Sequence, residues 1–231
     1  MRVLAFDLGD TLAEYEGLPL GWVDHYPAAL KRLATFLEVR ATQGQEDEAC
    51  AVLGRYNTRL VPRETEPPFA QLLGELCAVL GATPPADPTG AAGAFFAVFR
   101  QRLRPFPEAR AVLEALKAGG ARVAVFTDVP YAMPRSLVLE DLATAGIGAL
   151  PDLVATSGDV GFRKPSPRTL AYLAGKLGCT PGEMTYVGDE EKDVRAAQAF
   201  GCASVLVVRT GAPPAWGQGR TIASLAELLD A

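Results

Sequence analysis

Short apolar runs that stop at polar residues recur along the chain. The first, Val3-Leu4-Ala5-Phe6, ends on Asp7 and leads into the turn-like pair Gly9-Asp10, the form of a buried strand running into a loop. Three later runs repeat it: residues 123–126 before Thr127-Asp128, 185–187 before Gly188-Asp189, and 205–208 before Arg209. Between them apolar residues follow the helical period. Ala109, Val112, Leu113 and Leu116 fall at i, i+3, i+4 and i+7, as do Leu170, Leu173, Ala174 and Leu177. This alternation predicts an α/β fold, a doubly wound parallel sheet covered by helices on both faces. Ligands of such sheets bind outside the carboxyl ends of the strands, where Asp7, Thr127 and Asp189 fall.

Residues 13–104 break the rhythm. Leu30, Leu33, Ala34 and Leu37 form one helical stripe and Phe69, Leu72, Leu73, Leu76, Val79 and Leu80 another, with no convincing strand between them. Pro84-Pro85 and the glycine-rich stretch 90–93 punctuate the segment. It reads as an all-helical insertion held over the site like a lid, leaving 1–12 and 105–231 as the core.

The remaining totals exclude more than they select. With 231 residues and 49% hydrophobic content the chain can bury one good core and a smaller second unit. A formal net charge of −5 and scattered Lys and Arg leave no nucleic-acid footprint. No apolar run approaches the roughly 18 residues of a membrane span, and Asp7 interrupts any signal-peptide pattern, so a cytoplasmic protein without membrane partners is expected. Cys50, Cys77, Cys179 and Cys202 lack CxxC pairing, and the single His25 cannot complete a His/Cys metal site. Buried reduced thiols are expected.

A carboxylate at the tip of a buried strand, beside a turn of exposed amides, can attack phosphorus while the amides hold phosphate oxygens. Asp7 is placed for this, although a strand-end Asp also serves as a turn former. Thr127 offers a hydroxyl, and Asp128 a backbone amide, to a phosphate oxygen. Lys164, in a loop before a proline-started helix, could neutralise nucleophile and phosphate. Asp189, Glu190, Glu191 and Asp193 crowd four carboxylates into five positions, a cluster that repels itself without a cation. Hard oxygen ligands favour Mg²⁺, while a helix-capping role also suits Asp193.

Taken in order, Phe6-Asp7-Leu8-Gly9-Asp10-Thr11-Leu12, Val125-Phe126-Thr127-Asp128, Val160-Gly161-Phe162-Arg163-Lys164-Pro165 and Tyr186-Val187-Gly188-Asp189-Glu190-Glu191-Lys192-Asp193 resemble the four motifs of the haloacid dehalogenase superfamily. The resemblance covers residues 1–12 and about 105–231, and the insertion is similar to the family's helical cap. It implies a phosphatase acting on a small phosphorylated metabolite. In that reading Asp7 is a nucleophile forming an aspartyl-phosphate, Thr127 and Lys164 hold the phosphoryl group, and Mg²⁺ is bound by Asp7, the Gly9 carbonyl and Asp189, with Asp193 as ligand or supporting residue.

One position departs from the pattern. The family's phosphatases usually carry a second Asp two places after the nucleophile as general acid and base, and here that place is Gly9. Its loss forfeits a contribution of about 10²–10⁴-fold, and Asp10, one place on, is expected to point elsewhere. Phosphonate or haloacid hydrolysis, or a catalytically weak binding protein, are the alternatives. The phosphonate reaction needs a cap lysine, for which Lys31 is the only candidate within residues 13–104, and the metal-free dehalogenases do not need the acidic fourth motif. Trp22, His25 and Tyr26, with Tyr15 nearby, are the candidate substrate-selecting residues of the cap.

Overall fold

A computed structural model describes residues 2–17, 21–100 and 102–230. Its centre is a six-stranded parallel sheet built from β1 (Val3–Phe6), β4 (Arg122–Thr127), β5 (Leu153–Thr156), β6 (Met184–Gly188), β7 (Ala203–Val207) and β8 (Arg220–Ile222), in the order β5-β4-β1-β6-β7-β8. From β1 the chain builds β4 and β5 on one side, then returns to add β6, β7 and β8 on the other. Strand order reverses at β1, which opens a crevice beyond its carboxyl end.

The period-two alternation of these strands explains why both faces are covered. Leu4 and Phe6 of β1, with Val123 and Val125 of β4, enter one apolar cluster, while Val3 and Ala5, with Ala124 and Phe126, enter the other. The second cluster is closed by α8 (Arg168–Leu177) and α9 (Glu191–Phe200), through Leu170, Leu173, Ala196 and Ala197. The first is covered by α5 (Ala109–Ala118) and α6 (Arg135–Thr144) and runs on without a break into the insertion.

That insertion holds α1 (Tyr26–Phe36), α2 (Gln43–Tyr56), α3 (Phe69–Leu80) and α4 (Thr89–Phe96). The two predicted stripes are the buried faces of α1 and α3. Phe69, Phe95, Phe96 and Phe99 stack around one another, and Tyr131, which follows β4, meets Phe95 and Phe99 at ring-centroid distances of 6.0 and 5.7 Å. Insertion and core therefore share one hydrophobic body.

Several details differ from expectation. The insertion is bracketed by strands: β2 (Ala13–Tyr15) pairs antiparallel with β3 (Leu103–Pro105), a ribbon too short for periodicity to reveal. The glycine-rich stretch 90–93 lies inside α4 instead of breaking a helix. A Cβ at Gly90 would come within 2.7 Å of the exposed Phe36 ring at the end of α1, which would have to turn aside. Helix α2 is not among the predicted elements, although its buried Ala49, Val52, Leu53 and Tyr56 fall at i, i+3, i+4 and i+7 and a Thr42 capping box opens it. The four cysteines are unpaired as expected, but only Cys77 is buried. No helix among the described residues is long and apolar enough to cross a membrane.

Candidate active site

Asp7 lies directly beyond β1 and its backbone N–H donates to the Val187 carbonyl of β6 at 2.8 Å, so the ladder orients it across the crevice. Thr127 ends β4, and Asp189 follows β6. Asp193 stands on the first turn of α9, where its Oδ2 accepts from the backbone N–H of Asp189 at 3.1 Å and of Glu190 at 2.9 Å. One oxygen is thus a helix cap, and the other remains for the site. A Cβ at Gly188 would lie 2.4 Å from the Asp193 side chain, so only glycine permits this approach.

Lys164 joins these groups from beneath. Its Nζ lies 2.8 Å from Asp7 Oδ1 and 2.6 Å from Asp193 Oδ1, with its side chain wholly buried. It also donates to the Tyr186 hydroxyl at 3.3 Å, which in turn donates to the Phe126 carbonyl at 3.2 Å. Ligand atoms of Asp7, Asp189 and Asp193 lie within 4.8 Å of one another. Thr11 Oγ1 donates to Asp189 Oδ1 at 3.0 Å.

Burial and mutual repulsion mark the cluster electrostatically. Burial raises the Asp7 carboxyl to about 6; the Lys164 ammonium opposes that rise and Asp193 adds to it. Asp189, also buried and facing Asp7 and Asp193, is pushed up to about 8. Burial disfavours the Lys164 ammonium, but the Asp193 and Asp7 carboxylates outweigh it and hold the lysine charged. One ammonium does not balance three carboxylates, and a divalent cation among hard oxygen donors would relieve what remains.

A cavity of about 220 Å³ opens above the cluster. Asp7, Gly9, Thr127, Asp128 and Asp189 form its floor, and Tyr15, Trp22, Arg59, Phe99 and Arg100 are among its walls. The Asp128 carboxylate accepts from the Lys164 backbone N–H at 3.2 Å and lies 3.8 Å from Lys192 Nζ. Of the three cap candidates only Trp22 lines the cavity. The Tyr26 hydroxyl instead bonds Asn57 Nδ2 and the Tyr131 hydroxyl, each at 2.8 Å, within the shared core. His25 sits edge-on to Phe99 with a buried Nε2 that has no hydrogen-bond partner among the described residues. Asp10, expected to point elsewhere, lines the cavity as well, on a left-handed backbone with φ 55°. Burial and the nearby Glu190 raise its carboxyl above the usual range.

Two cavity residues carried no sequence signal. Arg100 reaches the wall while held by Asp141 at 2.7 Å and Glu140 at 3.0 Å. Arg59, in the turn after α2, stacks over the Trp22 ring at 5.7 Å from its centroid and pairs with no carboxylate among the described residues. Only the fold of the insertion brings either near Asp7.

A parallel sheet with a carboxylate at the tip of its central strand, a buried lysine against it and an acidic cluster on the neighbouring strand defines a class of hydrolase. The sequence description haloacid dehalogenase-like hydrolase matches residues 1–201, and the chain belongs to that family. Relatives include phosphoglycolate phosphatases from Yersinia pseudotuberculosis, 37% identical over 97 residues, and from Pectobacterium atrosepticum, 38% identical over 100 residues. These matches take in 42% and 43% of this chain, and the chain spans only about two-fifths, 40% and 41%, of those relatives' length. Among solved structures, a HAD phosphatase from Thermococcus onnurineus aligns with all of this chain and 97% of its own at TM-score 0.63 and 22% identity. A dehalogenase aligns with 100% and 96% at TM-score 0.61 and 21% identity. At these identities the likeness is one of fold.

Proposed function

We propose that the protein is a Mg²⁺-dependent phosphatase acting on a small phosphorylated metabolite, with Asp7 as the nucleophile. The observation that carries this reading is the contact of a wholly buried Lys164 with both Asp7 and Asp193 at the crevice of the sheet. An Asp7 oxygen attacks phosphorus, the bond to the ester oxygen breaks, and the oxygen departs as an alkoxide or phenoxide that takes its proton from solvent water. Water then attacks the aspartyl-phosphate, releasing phosphate and restoring the carboxylate. Lys164 keeps Asp7 ionised and, with Thr127, receives the phosphoryl oxygens. Asp7, the Gly9 carbonyl and Asp189 are the groups that would hold Mg²⁺, with Asp193 in support; the ion would supply positive charge against the charge developing on phosphorus.

Residues 13–104 serve as the cap that selects the substrate, through Trp22 and Arg59. The cavity volume suits a compact metabolite, and Arg59 is free to pair with an anionic tail such as a carboxylate. The relatives' name makes phosphoglycolate the first substrate to try. Loss of an acid/base carboxylate at position 9 favours substrates with good leaving groups. The deciding experiment is a screen of phosphorylated metabolites, phosphonates and halo-acids with and without Mg²⁺. Mg²⁺-dependent phosphate release is expected, and turnover of halo-acids in a chelator would overturn the reading.

A further inference from the structure

Between α2 and α3 the insertion reaches down to the loop that carries Lys164. The Glu66 backbone N–H donates to the Gly161 carbonyl at 2.9 Å and the Arg163 N–H to the Glu64 carbonyl at 2.7 Å, flanking an antiparallel bridge between Thr65 and Phe162. Beneath this bridge the side chains close a buried network. The Glu66 carboxylate, with its side chain fully buried, is paired with the Arg163 guanidinium, whose side chain is 8% exposed. Ser157, at the start of the short helix α7 (Ser157–Val160), donates to the same carboxylate at 2.9 Å and accepts from the Val129 N–H at 3.0 Å. Arg163 also donates to the Val129 carbonyl at 2.7 Å. Arg63 stands 3.6 Å from the other Glu66 oxygen.

This network ties four segments together: the insertion, the loop after β4, the end of β5 and the residue immediately before Lys164. Buried ion pairs gain little over apolar packing as stabilising devices, so stability alone gives weak reason for one here. Its location next to the lysine gives a better one. Lys164 must hold two carboxylates at 2.6 and 2.8 Å from a loop position, and a misplacement of about 1 Å in such a site can cost about 10²-fold in rate.

We propose that Glu66 is a positioning residue for catalysis: acting through Arg163, it anchors the Lys164 loop, so that the insertion sets the geometry of the reacting groups as well as choosing the substrate. This rests on the phosphatase reading above.

The test compares Glu66→Met, Arg163→Met and the double variant with the wild type, measuring kcat and KM on p-nitrophenyl phosphate and phosphoglycolate and the thermal unfolding midpoint in parallel. Each single variant breaks the buried Glu66–Arg163 pair and loses stability; the double variant removes both of its charges and recovers part of the loss, Arg63 being left without its carboxylate. Positioning requires that the double variant still lose about ten- to a hundredfold in kcat, with KM little changed. A stable double variant with wild-type kcat overturns the proposal, as does one whose loss lies wholly in KM. Should the double variant not fold, Arg163→Lys decides the matter. It keeps the charge while losing the guanidinium that bridges Glu66 and the Val129 carbonyl, so a lowered kcat at an unchanged midpoint supports positioning and a wild-type kcat overturns it. A wild type inactive on every phosphate ester overturns the proposed function together with this inference, whereas an active wild type with fully active variants overturns the inference alone.

Discussion

Gly9→Asp restores a carboxylate where the family's phosphatases usually carry one. A Cβ at Gly9 would meet no atom within 4 Å, and Gly9 is not among the glycines with positive φ. The substitution therefore introduces neither a clash nor backbone strain, but its charge adds to the repulsion among Asp7, Asp10 and Asp189, so unfolding is compared with Mg²⁺ present. Gly9 lines the cavity, so the new side chain grows from the floor on which the phosphoryl group would rest. General acid–base catalysis contributes about 10²–10⁴-fold, or roughly 2.7–5.4 kcal/mol at about 1.36 kcal/mol per decade. Nothing within reach of the new Cβ would lock its rotamer, so a gain of about 10²-fold, the low end of that range, is expected. The assay is kcat on alkyl phosphates, whose alkoxide leaving groups need a proton, against aryl and acyl phosphates, which should gain little. A folded Gly9→Asp variant that binds Mg²⁺ and gains on no alkyl phosphate would refute the missing-acid account, and would favour phosphonate-type chemistry or a binding role.

Four further outcomes are expected. Asp7→Asn should abolish turnover with little change in unfolding midpoint, and wild-type activity in that variant would exclude the covalent route. Asp7 and Asp189, raised to about 6 and about 8 from an ordinary 3.8, give the metal-free folded state more bound protons than the unfolded chain between about pH 4 and 8. These two groups therefore make metal-free stability fall as pH rises through that window, by at most about 1.4 kcal/mol per unit for each group; the thermal shift on adding Mg²⁺ should grow from pH 5 to pH 8, and a flat shift would contradict the repelling cluster. Arg59→Ala should raise KM for phosphoglycolate about tenfold or more relative to an uncharged-tail alkyl phosphate, from the roughly 1.5–3 kcal/mol of a hydrogen bond to a charged group, whereas Tyr26→Phe should cost stability and leave the substrate ranking unchanged.

The chain's own pattern determined the layered core and the floor of the site. Strands β1, β4, β6 and β7 and helices α5 and α8 are legible because each is a local regularity, an apolar run or a 3.6-residue period, whose end is marked by polar residues. Asp7, Thr127, Asp189 and Asp193 stand at strand ends or a helix start that the pattern locates, whereas Lys164 lies in a loop and is singled out by the order of the four motifs. The edge strand β8 and the ribbon of β2 with β3 have three residues each, too few to show a period, and β5 offers an apolar run of only three before Thr156. Tertiary structure alone decided the roof of the site. Tyr26 and Trp22 lie four residues apart, yet one is bonded into the core and the other faces the cavity. Arg59, Arg100 and Glu66 carry no local signal, because their charges acquire meaning only when the insertion folds back to set them against Trp22, the cavity wall and the Lys164 loop. A side chain's orientation is set by the packing of whole helices against the sheet, and that packing is a property of contacts distant along the chain.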